Sequence, residues 1–236
     1  MARQNFVVNL NVVGPDGSAP RRFEVRRMVN AGYVGRDRAA VQAHIDELER
    51  EGVPPPPSVP MLIPIGPDAL TTADSIDVIG ERTSGEVEYA LFLDGDEVLV
   101  GIGSDHTDRE MERMDIVRSK QICRNVVSTD VWRYAGVASA WDELVMRSWA
   151  KPVGGDEVLY QEGALGKIIS AEDLMELVKS RLVDGDARGL VIFSGTVAVL
   201  AKEMICGEAF RVELADPRSG RSLACRYDVR KLDYLR

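Results

Sequence analysis

Alternation between polar and apolar positions is the dominant signal along this chain. It runs through "NFVVNLNVV" (5–13) and "RRFEVRRMV" (21–29), and the intervening "GPDGSAP" predicts a turn-rich loop joining two N-terminal strands into a small hairpin. The pattern then changes. "RDRAAVQAHIDELEREG" (36–52) places Ala39, Ala40 and Ala43 among charged residues and predicts a helix, which Gly52 and the prolines at 54–57 stop. The following "PPPPSVPMLIPI" must be extended, because proline fixes its own φ and pushes its predecessor out of the helical region.

From residue 85 the signal is β. "GEVEYALFL", the turn "DGD" and "EVLVGIG" predict a hairpin. "SAEDLMELVKSRL" is the clearest helix, with Ser170 as N-cap and Asp173 three residues on, a short relative of the capping box. Beyond "VDGDARG", the apolar "LVIF" reads as a strand ending in Ser194, Gly195 and Thr196, and "FRVEL", "DPRSG" and "RSLACRYDV" form another hairpin. The expected fold class is mostly β (α+β) with a few short helices. The organisation is a small N-terminal β segment over 1–30 and a larger domain over 31–236.

Composition narrows the functional classes. Hydrophobic residues make up 45% and charged residues 28% of 236 positions, enough for one domain with a real core. The net charge of −9 argues against nucleic acid as a partner, since phosphate contacts rely on clustered Lys and Arg. A small anionic substrate remains compatible if a few positive groups gather locally. Cys123, Cys206 and Cys225 lie far apart and form no Cys-x-x-Cys pair, so neither zinc nor a disulfide framework is expected and a reducing cytoplasm is the simplest home. The N-terminus lacks the apolar centre of a signal peptide, and no run approaches the roughly 20 apolar residues of a membrane helix.

Against that background, "GIGSDHTDREMERMDIVRSK" (101–120) is dense in charge directly after an apolar strand, and is either a solvated loop or a set of ligands. Glu86 and Glu88 point the same way from a strand. They lie either on a solvated face or on a face that continues through Ala90 and Phe92 into the core, where unpaired carboxylates would be costly without a cation. Asp105 ends the next strand of the hairpin, which can bring it near the pair. Three converging carboxylates suit a hard divalent cation, Mg²⁺ or Mn²⁺ with Ca²⁺ possible, and not zinc or copper. Arg109 and Lys120 can offset the excess negative charge and bind an anionic group, or can be surface charges.

His44 and Glu47 share a helix face three residues apart, so the carboxylate can orient the imidazole as a water-activating base, or both can be ordinary exposed residues. "GIGSD" lacks the third glycine and helix of a dinucleotide site, and there is no Gly-x-Ser-x-Gly or His-Glu-x-x-His. Cys123 reads as a small buried hydrophobe, and Trp132, Trp141 and Trp149 as core or interface residues.

Taken in chain order, these elements resemble the fumarylacetoacetate hydrolase superfamily, most closely a bacterial branch of it, from about Gly32 to the C-terminus. "GYVGRDRAAVQAHIDELEREGVPPPPSVP" follows the family's order of a Gly-Arg-Asn-Tyr segment, a His-x-x-Glu dyad and a proline-spaced stretch. Glu86 and Glu88 match its Glu-x-Glu strand, "SDHTDRE" its third ligand and arginine at Asp105 and Arg109, "SKQ" its active-site lysine at Lys120, and "IFSGT" its Gly-Thr segment at Gly195 and Thr196. The sequence departs from the family in a short span between Glu88 and Asp105, extra residues before His44, Asp37 and Arg38 in place of Asn-Tyr, and Glu112 where a substrate-contacting glutamine often stands. His106 and Asp108 are unusual additions, and His106 and Glu112 are the expected sites of a private substrate preference.

The resemblance implies a β-roll or distorted barrel catalytic domain, a homodimer, and a divalent cation on Glu86, Glu88 and Asp105. It further implies hydrolysis of a carbon–carbon bond in a β-dicarbonyl (acylpyruvate-like) acid through a metal-bound enolate, with His44 and Glu47 activating water and Lys120, Arg109 and Thr196 binding the anionic oxo-acid substrate. Decarboxylation of a 2-oxo acid, or isomerisation or hydration of an enol acid, can use the same site. A non-catalytic binding module is the remaining alternative.

Overall fold

The computed structural model describes residues 6–15, 17–50, 54–201 and 203–235. The N-terminal alternation folds into β1 (Phe6–Gly14) and β2 (Gly17–Val25), and the loop expected over 14–20 shrinks to a tight turn with Gly14 opposite Gly17. β3 (Arg27–Gly32) leads to helix α1 (Arg38–Arg50), and the expected stop at Gly52 lies outside the described residues. The proline-rich stretch runs without helix into β4 (Met61–Ile65), followed by the short β5 (Leu70–Thr71), β6 (Ser75–Val78) and β7 (Thr83–Ser84). β8 (Val87–Asp94) and β9 (Glu97–Asp105) form the expected hairpin, turning at Gly95, whose φ of 65° suits glycine.

The charged stretch after β9 is not a loop. It continues as β10 (Thr107–Asp108), α2 (Arg109–Met114) and α3 (Ile116–Ile122). Each short helix starts on an aspartate cap: Asp108 accepts from the backbone of Glu110 and Met111, and Asp115 from that of Arg118. Then come β11 (Asn125–Val127), β12 (Asp130–Arg133), β13 (Val145–Pro152), β14 (Val158–Ala164), α4 (Ala171–Arg181), β15 (Leu190–Phe193), β16 (Gly207–Ala215) and β17 (Ser222–Lys231). Helix α4 carries the expected cap, with Ser170 Oγ accepting from Asp173 N at 3.1 Å and donating to Asp173 Oδ2 at 2.7 Å.

Among the described residues, ten strands form one curled, half-barrel sheet in the order β2-β1-β12-β9-β8-β15-β3-β4, with β11 on β9 and β5 on β11. The N-terminal hairpin is part of it, because β1 pairs in parallel with β12, Asn11 opposite Asp130. A five-stranded sheet, β14-β13-β16-β17-β6, covers one face of the large sheet. Val87, Tyr89, Leu91, Val100 and Ile102 pack there against Met146, Val212, Leu214 and Leu223, with Leu174 and Val178 of α4 in the same core. On the other face a second core gathers Leu10, Phe23, Ala90, Phe92, Leu99, Val191 and Phe193. The molecule is thus a mostly β, α+β protein in which β8 and β9 are buried on both faces. No helix among the described residues is long and apolar enough to cross a membrane.

Candidate functional site

The site follows from the register of the central hairpin. Glu86, one residue before β8, exchanges both backbone hydrogen bonds with Asp105 at 3.2 and 3.0 Å, so the β8–β9 ladder extends one pair past the strand. Two residues on, Glu88 stands opposite Gly103. Alternation puts Glu86, Glu88 and Asp105 on the face of Ala90 and Phe92, which is the buried face and not a solvated one. Carboxylate oxygens of the three lie within 4.8 Å of one another. Gly103 is bare because a Cβ would meet Val126 O at 2.3 Å and the Phe193 ring at 2.9 Å.

The short helices bring cations to this face. From α3, Lys120 Nζ lies 2.6 Å from Glu86 Oε2, 2.8 Å from Asp105 Oδ2 and 2.8 Å from Thr107 Oγ1. From α2, Arg109 Nη1 donates to Glu86 Oε1 at 3.1 Å and to Glu112 Oε2 at 2.8 Å. Burial alone would raise Glu86, but Arg109 and Lys120 outweigh it and hold the carboxyl at about 2. Glu88 lies deeper and touches neither cation: burial, then the Asp105 charge, pushes it well up. Asp105 is raised by burial, which Lys120 offsets in part. Burial works against the charge of Lys120 and Arg109, yet the surrounding carboxylates keep both protonated.

Glu88 has a different anchor. Its Oε2 accepts from Gly195 N at 2.9 Å, just past β15, where the chain turns at φ 81° and a Cβ would meet Val34 at 2.6 Å. Gly195 therefore positions a carboxylate and does not offer its N–H to the cavity. Thr196 next to it donates its hydroxyl proton to Val87 O at 2.7 Å and accepts from Gln161 Nε2 at 2.8 Å. Its one hydroxyl proton is thus given to the backbone, so Thr196 has no hydroxyl proton left to donate to an anionic ligand.

Glu86, Glu88, Asp105, Arg109, Glu112 and Lys120 all line one cavity of about 520 Å³, together with Gly195, Thr196 and His44. His44 is at the rim on α1: its side chain is 60% exposed, that of Glu47 is 62% exposed, and Nδ1 is 3.9 Å from Glu47 Oε2. Glu47 does not line the cavity. His106 does not either, and this corrects its reading as a substrate contact. Following Asp105 by one residue, it points out of the opposite face, against Phe210 and Tyr227, with Nδ1 3.0 Å from the Tyr227 hydroxyl. Cys123 is buried, and burial raises its thiol to about 12, in keeping with a small hydrophobe.

Sequence reasoning missed four wall residues: Asn30, Tyr33, Tyr160 and Gln161. Gln161 Oε1 accepts from Val87 N at 3.0 Å and from Ser148 Oγ at 2.9 Å, tying the covering sheet to the ligand strand. Tyr33 adopts φ 56°, unusual for a bulky side chain, and nothing in its sequence context announces it. Asn30 had a signal: it falls in phase with the inward Met28, and after Arg27 it is the one polar residue of the strand.

The donor set suits a hard divalent cation. Four carboxylates, Glu86, Glu88, Asp105 and Glu112, face two cations, leaving two negative charges when all are ionised. Asp105 Oδ1 is buried with no partner among the described residues, an acceptor left open.

Fold and site together define a mostly β protein whose half-barrel sheet carries a buried carboxylate cluster. Residues 31–227 match the family model described as "Protein of unknown function (DUF2848)", and the chain belongs to that family. No curated protein matches the sequence. A solved structure described as "Crystal structures of Cg1458" has a TM-score of 0.60 and 13% identity to this chain, covering 96% of this chain and 100% of that one. At that identity the likeness extends to the fold alone.

Proposed function

We propose that the protein is a divalent-cation-dependent enzyme that hydrolyses a carbon–carbon bond in a small β-dicarbonyl acid. The observation that carries this reading is the buried Glu86–Glu88–Asp105 cluster on the wall of a ligand-sized cavity. Glu86, Glu88 and Asp105 would hold Mg²⁺ or Mn²⁺, with Ca²⁺ a third fit. When bound, such an ion supplies a Lewis acid for the substrate's carbonyl oxygens. Arg109 and Lys120 hold Glu86 ionised, Lys120 partly offsets the burial of Asp105, and both set positive charge beside the substrate's own carboxylate. His44, at the rim, takes a proton from water, whose hydroxyl joins the acyl carbon, and the departing carbon receives the proton. Glu47 supports the protonated imidazole. A cytoplasmic homodimer of the fumarylacetoacetate hydrolase superfamily belongs to the same reading, on the motif order and the unpaired cysteines.

Decarboxylation of a 2-oxo acid is the second reading, and one observation favours it. His44 and Glu47 are both well exposed and 3.9 Å apart, whereas a water-activating dyad works best when held and shielded. The test is a panel of acylpyruvates and oxaloacetate, assayed with Mg²⁺ or Mn²⁺ on wild type and His44→Ala. Hydrolysis lost in the variant supports the first reading; decarboxylation retained by both proteins, with no hydrolysis, supports the second. A protein inactive on the whole panel, whose melting is the same in EDTA and in millimolar Mg²⁺, would be a binding module in which only Lys120 and Arg109 offset the carboxylates.

A further inference from the structure

Asn30 stands out among the cavity residues. It lies in the middle of β3, between Phe193 of β15 and Ile63 of β4 in register, on the face that carries Met28, Met61 and Ile63. Its side chain is on the cavity wall and the residue is 1% exposed, yet neither Oδ1 nor Nδ2 has a partner among the described residues. Buried amides are ordinarily satisfied, and leaving both ends unmet is destabilising. Leucine, with the same branched skeleton and no polar atom, would suit the surrounding Phe193 and Ile63 better. A residue kept against the interest of the fold is a candidate for ligand contact.

Its placement relative to the carboxylates defines what it can touch. The ladder sets Asn30 two strands across and one two-residue step down from Glu88, on the order of 10 Å between Cα atoms. Gly32, two residues on in β3, lines the same cavity as Asn30 and Glu88, and a Cβ there would meet nothing within 4 Å, so that side of the cavity is open. One end of a small ligand can sit at the carboxylate cluster while a polar group farther along it reaches the amide.

We infer that Asn30 is a specificity-determining residue whose side-chain amide binds a hydroxyl or carboxamide on the tail of the substrate. Such a group donates to Oδ1 and accepts from Nδ2, satisfying both ends at once, whereas an alkyl tail leaves both stranded. Identifying the ligand as an oxo-acid rests on the function proposed above; identifying Asn30 as a ligand contact rests on its burial and its missing partners.

Two measurements on wild type and Asn30→Leu test this. Without any ligand, the leucine variant should melt about 2–8 °C higher, because it replaces two stranded polar atoms by methyl groups whose extra volume the adjoining cavity can take. A lower melting temperature would assign Asn30 a structural role and overturn the proposal. Binding is then measured by calorimetry in millimolar Mg²⁺ with 4-hydroxy-2-oxopentanoate and 4-methyl-2-oxopentanoate, which differ by a hydroxyl in place of a methyl. Wild type should prefer the hydroxyl compound by about ten- to a hundredfold, and the variant should lose or reverse that preference. Equal wild-type affinities, or a preference that survives in the variant, would overturn the assignment. Pyruvate is the control. If it binds both proteins alike while the tail preference is missing, the Asn30 inference fails and the site reading stands. If no oxo-acid binds wild type, the oxo-acid reading fails and the ligand class falls with it, while the ligand-free melting still decides whether Asn30 serves the fold.

Discussion

Asp105 and His106 are consecutive in the chain and leave the same sheet in opposite directions. On the cavity side, Asp105 joins a cluster of carboxylates in which Lys120 pairs with Asp105 and Glu86, and Arg109 with Glu86. On the covered side, His106 is neutral, packed on Phe210, and joined to a Tyr227 hydroxyl that also meets Ser104 Oγ at 2.7 Å. One face retains charge and neutralises it by pairing; the other removes charge and ties the imidazole down through Nδ1, leaving Nε2 without a partner among the described residues. The first arrangement is costly to a fold and makes sense where a ligand uses it, while the second joins two sheets at the smaller cost of one unmet ring nitrogen.

The comparison breaks hardest at Lys120. Lys120→Met leaves Glu86 and Asp105 buried with one cation fewer, a loss of about 3–5 kcal/mol. Melting in EDTA should fall by about 6–20 °C, and millimolar Mg²⁺ should restore part of it. Unchanged melting would show that pairing is not what keeps the charged face folded.

The neutral face is tested by pH. Burial, reinforced by the Arg109 charge, lowers His106 from 6.5 to about 3. Below about 6.5 the unfolded chain therefore takes up a proton that the folded chain refuses. This contribution to stability is complete above about 6.5 and is lost as the pH falls toward 3. Between pH 6.5 and 4.5 wild type should lose about 2 kcal/mol more than His106→Phe. Parallel stability curves for the two proteins would remove His106 from the acid limb.

Glu88→Gln sharpens the contrast on the charged side. The amide oxygen can still accept from Gly195 while the disfavoured charge disappears, so melting in EDTA should hold or rise by up to about 1 kcal/mol in stability. The rise produced by Mg²⁺ in wild type should be lost. A surviving rise would exclude Glu88 as a ligand. The smallest effect belongs to His44→Ala, which lies on neither buried face: its stability should match wild type within about 0.5 kcal/mol, and a larger drop in thermal melting would mean α1 is packed more firmly than its exposure indicates.

Much of this arrangement was legible because it is local. The β8–β9 hairpin, α4 with its Ser170 cap and the β16–β17 hairpin each announce themselves by period and turn residues, and the hairpin brings Glu86, Glu88 and Asp105 together. Helices α2 and α3 were missed because each is too short to show a periodic apolar face. Their start signals, Asp108 and Asp115, were present but looked like more surface charge. His106 was misplaced by parity, since the residue after an inward aspartate in extended chain must face outward. The embedding of the N-terminal hairpin depends on the parallel pairing of Asn11 with Asp130, 119 positions away, which no local pattern encodes. The same holds for Gln161, whose role exists only once the two sheets meet.

Gly103 carries no functional group, yet it governs the electrical character of the cavity. With no side chain there, the Phe193 ring lies against backbone beside Glu88 and Asp105, so hydrocarbon and not water backs the carboxylates. Such a backing lowers the local permittivity: two unit charges 4 Å apart interact by about 1 kcal/mol in water and about 4 kcal/mol at an effective dielectric of 20. The field of the cluster is screened least toward the protein interior and emerges mainly into the open cavity. A bare position in a strand thus sets how strongly this site attracts any cation that enters.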